Sequence, residues 1–177
     1  MKYFLDTEFM EHPFTIQLIS IGIVAEDGRE FYAESNQFDP EFADLFVKQH
    51  VFPQLKYDPY DYKSRSGSAI WENKDNDGDV EMIGAIPDIR EWILKFIGSD
   101  TPEFWGYFAD YDWVAFCWIF GPMIALPKGW PMYCRDLKQL ADDVKKPRFK
   151  KPKGEHNALA DARWNKLFYE YLKAPGL

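Results

Sequence analysis

The chain has 177 residues, 46% of them hydrophobic, which suits a single domain, residues 1–177, with a full core of its own. Its formal net charge of −8 argues against a protein that coats long nucleic acid through a broad basic surface, but it permits an enzyme that grips one strand end through bound cations. The two cysteines, Cys117 and Cys134, lack metal-ligand spacing and argue against a disulfide scaffold. Since no apolar run approaches a membrane span of about 20 residues and no secretion signal is visible, we expect a cytoplasmic protein without a membrane partner.

The first predicted strand, at residues 2–9, ends on two carboxylates. Asp6 and Glu8 are two positions apart, so in a strand their side chains point to one face while Thr7 points to the other. Two carboxylates ~4 Å apart repel by about 4 kcal/mol. A cation, a shared proton or a nearby arginine would offset that cost. The alternative is that Asp6 caps a turn and Glu8 is solvated, because this pattern is short and common.

An antiparallel meander is predicted next. After a polar loop at 10–13, the β-branched run at 15–24 indicates a second strand. The Asp-Gly pair at 27–28 is typical of a tight hairpin, and residues 30–34 provide the returning strand. The first three strands therefore follow one another without an intervening helix.

The remainder of the chain alternates helices with short strands. Asp39 and Pro40 predict the cap and first position of a helix. Its apolar stripe would comprise Phe42, Leu45, Phe46 and Gln49. The further elements are an irregular stretch at 56–80, a helix at 81–97 that is broken or started afresh at Pro87, a strand at 103–108, a helix at 113–120, a strand at 131–134 and a helix at 136–144. The last helix has a core face that carries Trp164, Leu167, Phe168 and Tyr171. This order predicts an α/β fold, a mixed β-sheet with helices packed on it.

Two more acids, Asp110 and Asp112, lie where a predicted strand turns into a helix. One of them is expected to cap the helix by accepting a backbone N–H, which leaves the other free for chemistry. We favour Asp112 for chemistry, because it would lie in the first helical turn and face the strand ends. Asp110 is then the cap, although the sequence leaves the choice open.

The last helix brings a histidine and a fourth acid. His156 and Asp161 are five residues apart, about 140° around a continuous helix, so they share a face only if His156 lies in the preceding loop. Asn157 would then cap the helix. The alternative is a surface histidine beside a solvated acid. The chain has another histidine, His50, in the helical region predicted after Asp39, and we interpret it as structural rather than catalytic.

Taken together, these residues resemble a known family. FLDTEF, with Asp6 and Glu8, and HNALADA, with His156 and Asp161, are similar to two motifs of the DEDDh branch of 3′–5′ exonucleases. YFADYDW is similar to the remaining motif, although many members carry Asn where this chain has Phe108. The runs TIQLISIGIVAEDGREFYA and GPMIALP extend the resemblance to the compact bacterial exoribonucleases typified by mycobacterial RNase AS, over most of the chain outside 56–80.

The resemblance implies both a fold and a chemistry. The fold would be ribonuclease H-like, with the antiparallel meander joined to parallel strands. Asp6, Glu8, Asp112 and Asp161 would hold two Mg²⁺ or Mn²⁺ ions, which prefer oxygen ligands, and His156 would be the general base. The products would be nucleoside 5′-monophosphates from single-stranded 3′ ends, of RNA rather than DNA, and the protein would be a homodimer.

The same resemblance suggests which side chains contact the substrate. They are Thr7, Glu8, Phe9, Met10, Trp113, Lys150, Lys151, Lys153 and His156. The aromatic and methionine side chains would stack on bases, the lysines would bind phosphates, and Glu8 would contact the terminal 2′-OH or 3′-OH. Core packing is the alternative for the stacking residues, and a solvated basic loop is the alternative for the lysines.

Three other functions compete with this interpretation. A 3′–5′ exodeoxyribonuclease would use the same residues on DNA ends. A nuclease that cuts internally shares the carboxylates but has less use for His156. An inert nucleic-acid-binding module would be expected to lack a carboxylate or the histidine, and all five positions are filled here.

Overall fold

The computed structural model describes residues 1–61, 67, 69–72, 80–144, 146, 149–151 and 156–174. Within these ranges a seven-stranded mixed sheet is flanked by four α-helices. The strands are β1 (Lys2–His12), β2 (Thr15–Ala25), β3 (Glu30–Ser35), β4 (Ala69–Glu72), β5 (Val80–Gly84), β6 (Glu103–Gly106) and β7 (Arg135–Asp136). The helices are α1 (Ile86–Ile97), α2 (Asp110–Phe120), α3 (Leu137–Val144) and α4 (Ala158–Lys173). The predicted α/β class is confirmed, and none of the described helices is long and apolar enough to cross a bilayer.

The sheet order is β4-β5-β3-β2-β1-β6-β7, with β1 near the centre. β1, β2 and β3 form the predicted antiparallel meander, while β6 pairs parallel to β1 and β7 parallel to β6. This arrangement is consistent with the ribonuclease H-like fold. The β1–β2 register shifts between Glu8 and Phe9, and such a bulge bends a strand where its side chains must be aimed.

Several predicted elements differ from the structure. The predicted helix at 81–97 begins only at Ile86, with Pro87 in its first turn, because the residues before it extend as β5 beside β3. β4 was not predicted, and the strand expected at 131–134 lies instead at Arg135–Asp136. Of the stretch at 56–80, residues 62–66, 68 and 73–79 lie outside the described residues.

The helix predicted after Asp39 is wrong as a continuous element. The Asp39 side chain does cap, accepting from the Glu41 N–H, but the turn that it caps ends at Phe42. Asp44 then accepts from the Val47 N–H and starts a separate π-helical turn, Val47–Val51. The expected apolar stripe does not pack in the core, because Phe42, Leu45 and Phe46 are all exposed.

The two faces of β1 meet different helices. Tyr3 and Leu5 pack in the core group that includes α1 and α2, and Phe4 packs with Trp164 and Phe168 of α4. Leu167 was expected in this core and is exposed instead. A Cβ on Gly22 would lie 2.3 Å from the Ala158 carbonyl oxygen, so the absence of a side chain there allows α4 to approach β2 closely. This approach places the start of α4 beside the middle of β1, where Gly22 pairs with Asp6.

Candidate active site

Three carboxylates converge where β1 meets α4. Asp6 and Glu8 project from the same face of β1, and Asp161 lies in the first turn of α4. One oxygen from each lies within 4.8 Å of the others. Glu8 and Asp161 are buried. The side chains of Asp6 and Glu8 therefore point to one face, as predicted, and α4 supplies the third acid of the group.

Two members of this group, Asp6 and Glu8, hold their protons unusually strongly. Burial, followed by the charges of Asp161 and Asp112, raises the pKa of Glu8 to about 8. Burial and the charges of Asp112, Asp161 and Glu8 also raise the pKa of Asp6 well above its usual range. Such shifts measure the cost of bringing negative charges together away from water, and a bound cation would relieve that cost.

One cation of the chain itself lies in this group. Lys151 Nζ is 3.0 Å from Asp161 Oδ1, and its charge lowers the pKa of both Asp6 and Glu8. The ammonium group of Lys151 thus places a positive charge at the carboxylate oxygens, where a metal ion would bind. An all-oxygen ligand set suits hard cations such as Mg²⁺ or Mn²⁺ rather than zinc, so the residues fit the ions that the sequence predicts.

Asp112 contacts β1 at Thr7, between Asp6 and Glu8. Its Oδ1 accepts from the Thr7 backbone N–H at 2.8 Å and from the Thr7 hydroxyl at 2.6 Å. Burial raises the pKa of Asp112 to about 6, although the two bonds from Thr7 lower it. Its charge raises the pKa of Asp6 in turn, so Asp112 belongs to the same electrostatic cluster. Thr7 is thus a buried support of Asp112, and its location does not favour a substrate contact.

Asp110 is exposed and is the first residue of α2. The cap position belongs to Ala109, which has no side-chain cap, so the expectation that Asp110 caps the helix is wrong. Phe108 occupies the position where many members of the superfamily carry Asn, and its φ is +55°. Asn adopts this left-handed conformation more readily than a bulky residue, so the conformation accounts for the Asn of other members and leaves Phe108 without a local explanation.

His156 lies in the loop before α4, as the spacing with Asp161 predicts, with φ of +74°. Its backbone N–H donates to Asp161 Oδ2 at 3.0 Å, and Asn157 caps the helix by accepting from the Ala160 N–H. The imidazole meets the Phe46 ring edge-on, with centroids 4.9 Å apart, and the His50 ring at 5.9 Å. The loop before α4 and the first turn of α4 therefore present a histidine and a carboxylate together.

An open cleft of about 640 Å³ begins at Glu8. β1 forms one wall, from Thr7 to Pro13, and the segment containing Phe42, Asp44, Phe46 and Val47 forms the other. The exposed aromatic rings of this second wall face the space beside Glu8.

A family model described as the 3′–5′ exoribonuclease Rv2179c-like domain matches residues 1–172. The chain belongs to this family. It is 43% identical over 164 residues to two proteins of Mycobacterium tuberculosis, with 92% of this chain and 88% of each relative covered. They are named 3′-5′ exoribonuclease Rv2179c, from strain H37Rv, and 3′-5′ exoribonuclease MT2234.1, from strain CDC 1551. The predicted resemblance to compact mycobacterial-type exoribonucleases is confirmed, and with it an exonuclease family.

The burial and contacts of the predicted substrate-binding residues indicate which of them can reach a substrate. Phe9 is half-buried and stacks on Tyr111, with centroids 5.9 Å apart. Met10 borders the cleft but is only 2% exposed, and Trp113 is 9% exposed among Phe104 and Phe116. For Met10 and Trp113, this burial favours core packing over stacking on bases. Lys150 is exposed, Lys151 contacts Asp161, and Lys153 lies outside the described residues.

The sequence reasoning missed the second wall of the cleft. Phe42 and Phe46 were interpreted as core, and His50 was interpreted as structural without a connection to His156. Asp44 was the sequence feature that could have indicated a break in this helix. It is a second capping residue, and its side chain accepts from the Val47 N–H, where a new helical turn begins. Two short turns in place of one helix leave these aromatic side chains on the surface.

Proposed function

We propose that this chain hydrolyses single-stranded RNA from its 3′ end and releases nucleoside 5′-monophosphates. The observation that carries the proposal is the group of Asp6, Glu8 and Asp161, with oxygens within 4.8 Å, in a member of a 3′–5′ exoribonuclease family. Asp112, bonded to Thr7 between Asp6 and Glu8, completes a set of four carboxylates. RNA is favoured over DNA because both relatives are named exoribonucleases.

Asp6, Glu8, Asp112 and Asp161 would hold two Mg²⁺ or Mn²⁺ ions. Bound there, the ions would acidify a water molecule and stabilise charge on the leaving 3′ oxygen. Asp6 and Glu8, whose pKa values are raised, have to release their protons before they can act as ligands, so proton release is part of cation binding. Lys151 has to leave Asp161 at the same time, and its ammonium group would then be available to a backbone phosphate.

His156 would take the proton of the attacking water on an imidazole nitrogen. Its backbone bond to Asp161 and the edge-on contact with Phe46 fix the loop and the ring beside the carboxylates. A general base needs this kind of positioning within hydrogen-bond reach of the reacting water. The left-handed backbone at His156 is strained for a residue with a side chain, and such strain is often retained where function needs the geometry.

The cleft would receive the last nucleotides of the strand. Phe46 and Phe42 offer exposed aromatic rings on which bases can stack without sequence preference. Glu8 lies where the terminal ribose would enter, and a contact from it to the 2′-OH would separate RNA from DNA. The resemblance to the compact bacterial exoribonucleases further suggests a homodimer that acts in the cytoplasm.

The test uses 5′-labelled RNA and DNA of one sequence, together with a circular form of the RNA, incubated with Mg²⁺ or with EDTA. We expect the linear RNA to shorten one nucleotide at a time, the DNA to shorten more slowly, and the circle to remain intact. EDTA should stop the reaction. Faster shortening of DNA would assign the activity to DNA ends, and cleavage of the circle would overturn the exonuclease proposal.

A further inference from the structure

A row of buried polar side chains crosses the sheet beside Glu8. Glu8 of β1 pairs with Ser20 of β2, and Ser20 pairs with Glu34 of β3, in antiparallel register. Residues that oppose each other in this way point to one face, with Cβ atoms about 4.5–5.5 Å apart. Ser20 and Glu34 are as fully buried as core side chains, although both are polar. A line of polar groups therefore runs from the carboxylate site into the protein.

Tyr32 links the members of this row. It lies two residues before Glu34 on the same face of β3, and its hydroxyl donates to Glu34 Oε1 at 2.8 Å. The Ser20 hydroxyl also hydrogen bonds Tyr32. Burial and the charges of Glu34 and Glu8 raise the pKa of Tyr32 well above its usual range, so the phenol keeps its proton and remains a donor. The order of donation is then Ser20 to Tyr32 to Glu34.

Glu34 also holds the second wall of the cleft. The same oxygen, Oε1, accepts from the Lys56 backbone N–H at 2.7 Å. Lys56 follows the turns Val47–Val51 and Phe52–Gln54, which continue the segment that bears Phe46 and His50. One buried carboxylate thus binds both the polar row beside Glu8 and the end of the aromatic wall.

Burying a carboxylate is costly, and Glu34 is 2% exposed although it lies outside the group formed by Asp6, Glu8 and Asp161. A buried polar network with defined partners fixes side-chain geometry, and the outer hydrogen-bonding partners of ligating side chains orient them. Among the described residues, the network meets the site at Glu8, which is the cross-strand neighbour of Ser20 and whose charge also acts on Tyr32. Its expected effect is therefore on the position of the Glu8 carboxylate.

We propose that Tyr32 and Glu34 are positioning residues of the active site, which hold Ser20 against Glu8 and so fix the Glu8 carboxylate for cation binding. Glu34 has the additional effect of holding the aromatic wall through Lys56. This inference rests on the proposed function, in which Glu8 is a cation ligand. Neither Tyr32 nor Glu34 touches the reacting atoms.

The test is titration calorimetry of the full chain with Mn²⁺ alone, without RNA. Tyr32→Phe removes one oxygen, and we expect its Mn²⁺ dissociation constant to rise about tenfold. The KM for RNA at saturating Mn²⁺ should change little, because the bond from Lys56 to Glu34 remains. Glu34→Ala should weaken Mn²⁺ binding and also raise the KM, because it releases the wall. Ser20→Ala provides a second route to the Mn²⁺ effect if Tyr32→Phe fails to fold.

Tyr3→Phe is the matched control. The Tyr3 hydroxyl donates to an Asp100 carboxylate oxygen at a distance of 2.7 Å, and neither residue belongs to this network. The variant loses the same kind of bond, so its melting temperature should fall while its Mn²⁺ dissociation constant stays at the wild-type value. Wild-type Mn²⁺ affinity in Tyr32→Phe or Ser20→Ala would overturn the positioning role alone. Failure of the wild-type protein to bind Mn²⁺ would instead overturn the proposed cation dependence.

Discussion

Lys151 Nζ lies 3.0 Å from Asp161 Oδ1, at the oxygens that would hold a divalent cation. The pair is sheltered, with 30% of the lysine side chain and 8% of the aspartate side chain exposed. The chain thus brings a positive charge of its own to a group of acids that repel one another. A cation entering the site has to displace this ammonium group.

Replacing Lys151 by Met should therefore strengthen cation binding. An ion pair near the surface contributes up to about 1 kcal/mol, so we expect Mn²⁺ affinity at about pH 8 to rise roughly fivefold. The KM for RNA should rise as well, if the displaced lysine binds a phosphate. Calorimetry and steady-state kinetics measure the two effects. Lys150→Met, at the exposed neighbouring position, is the control and should keep the Mn²⁺ affinity of the wild type.

The cation-free protein should become less stable as the pH rises. Burial lifts the pKa of Glu8 from 4.5 to about 8, so between these values the folded chain retains a proton that the unfolded chain has released. The folded state binds more protons across this window, and its free energy of unfolding therefore falls with pH. Asp6 acts in the same direction, since its pKa is also raised.

Melting temperatures in EDTA across this pH range measure the effect. Glu8→Gln removes one of the titrating groups and should flatten the slope. With saturating Mn²⁺, the melting temperature should instead rise with pH. The cation competes with protons for the carboxylates, so its affinity increases as the pH rises. A melting temperature in EDTA that increases over the window would contradict the electrostatic account of the site.

Thr7 should control the ionisation of Asp112. Thr7→Val keeps the shape of the side chain and the backbone bond but removes the 2.6 Å hydroxyl bond to Oδ1. The loss should cost about 1–3 kcal/mol of stability and raise the pKa of Asp112 above about 6. Activity should then fall more at about pH 6 than at pH 8. Thr7→Ser retains the hydroxyl, and equal pH profiles for the two variants would refute the role.

Phe46 should matter for catalysis although it is remote from the motifs. Its ring supports the His156 imidazole and lines the cleft, so Phe46→Ala should lower kcat and raise the KM for RNA, each about tenfold. Leu45→Ala is the control, because Leu45 is equally apolar and exposed but is not part of the cleft wall. Steady-state kinetics on one RNA measure both variants, and similar values for them would remove Phe46 from the site.

The predictions that succeeded rested on local patterns. The strand with Asp6 and Glu8, the hairpin after β2 and the Asn157 cap each depend on side chains a few residues apart, whose spacing decides the geometry. What the sequence concealed depends on distant partners. The sequence does not distinguish Gly22 from other strand glycines. Only the structure shows that a Cβ there would lie 2.3 Å from the Ala158 carbonyl oxygen. Phe42 and Phe46 follow helical spacing, yet the chain turns at Asp44 and exposes them. Glu34 gave no signal, because its partners lie on other elements.

The comparison of Asp112 with Asp110 tests the account most directly. Both aspartates lie in the first turn of α2, but only Asp112 is buried against β1. On 5′-labelled RNA with Mg²⁺, we predict that Asp110→Asn shortens the strand from its 3′ end at close to the wild-type rate, whereas Asp112→Asn is slower by about 10²-fold or more. Wild-type shortening by Asp112→Asn, or shortening by the wild-type protein in EDTA, would contradict a site built from these carboxylates and divalent cations.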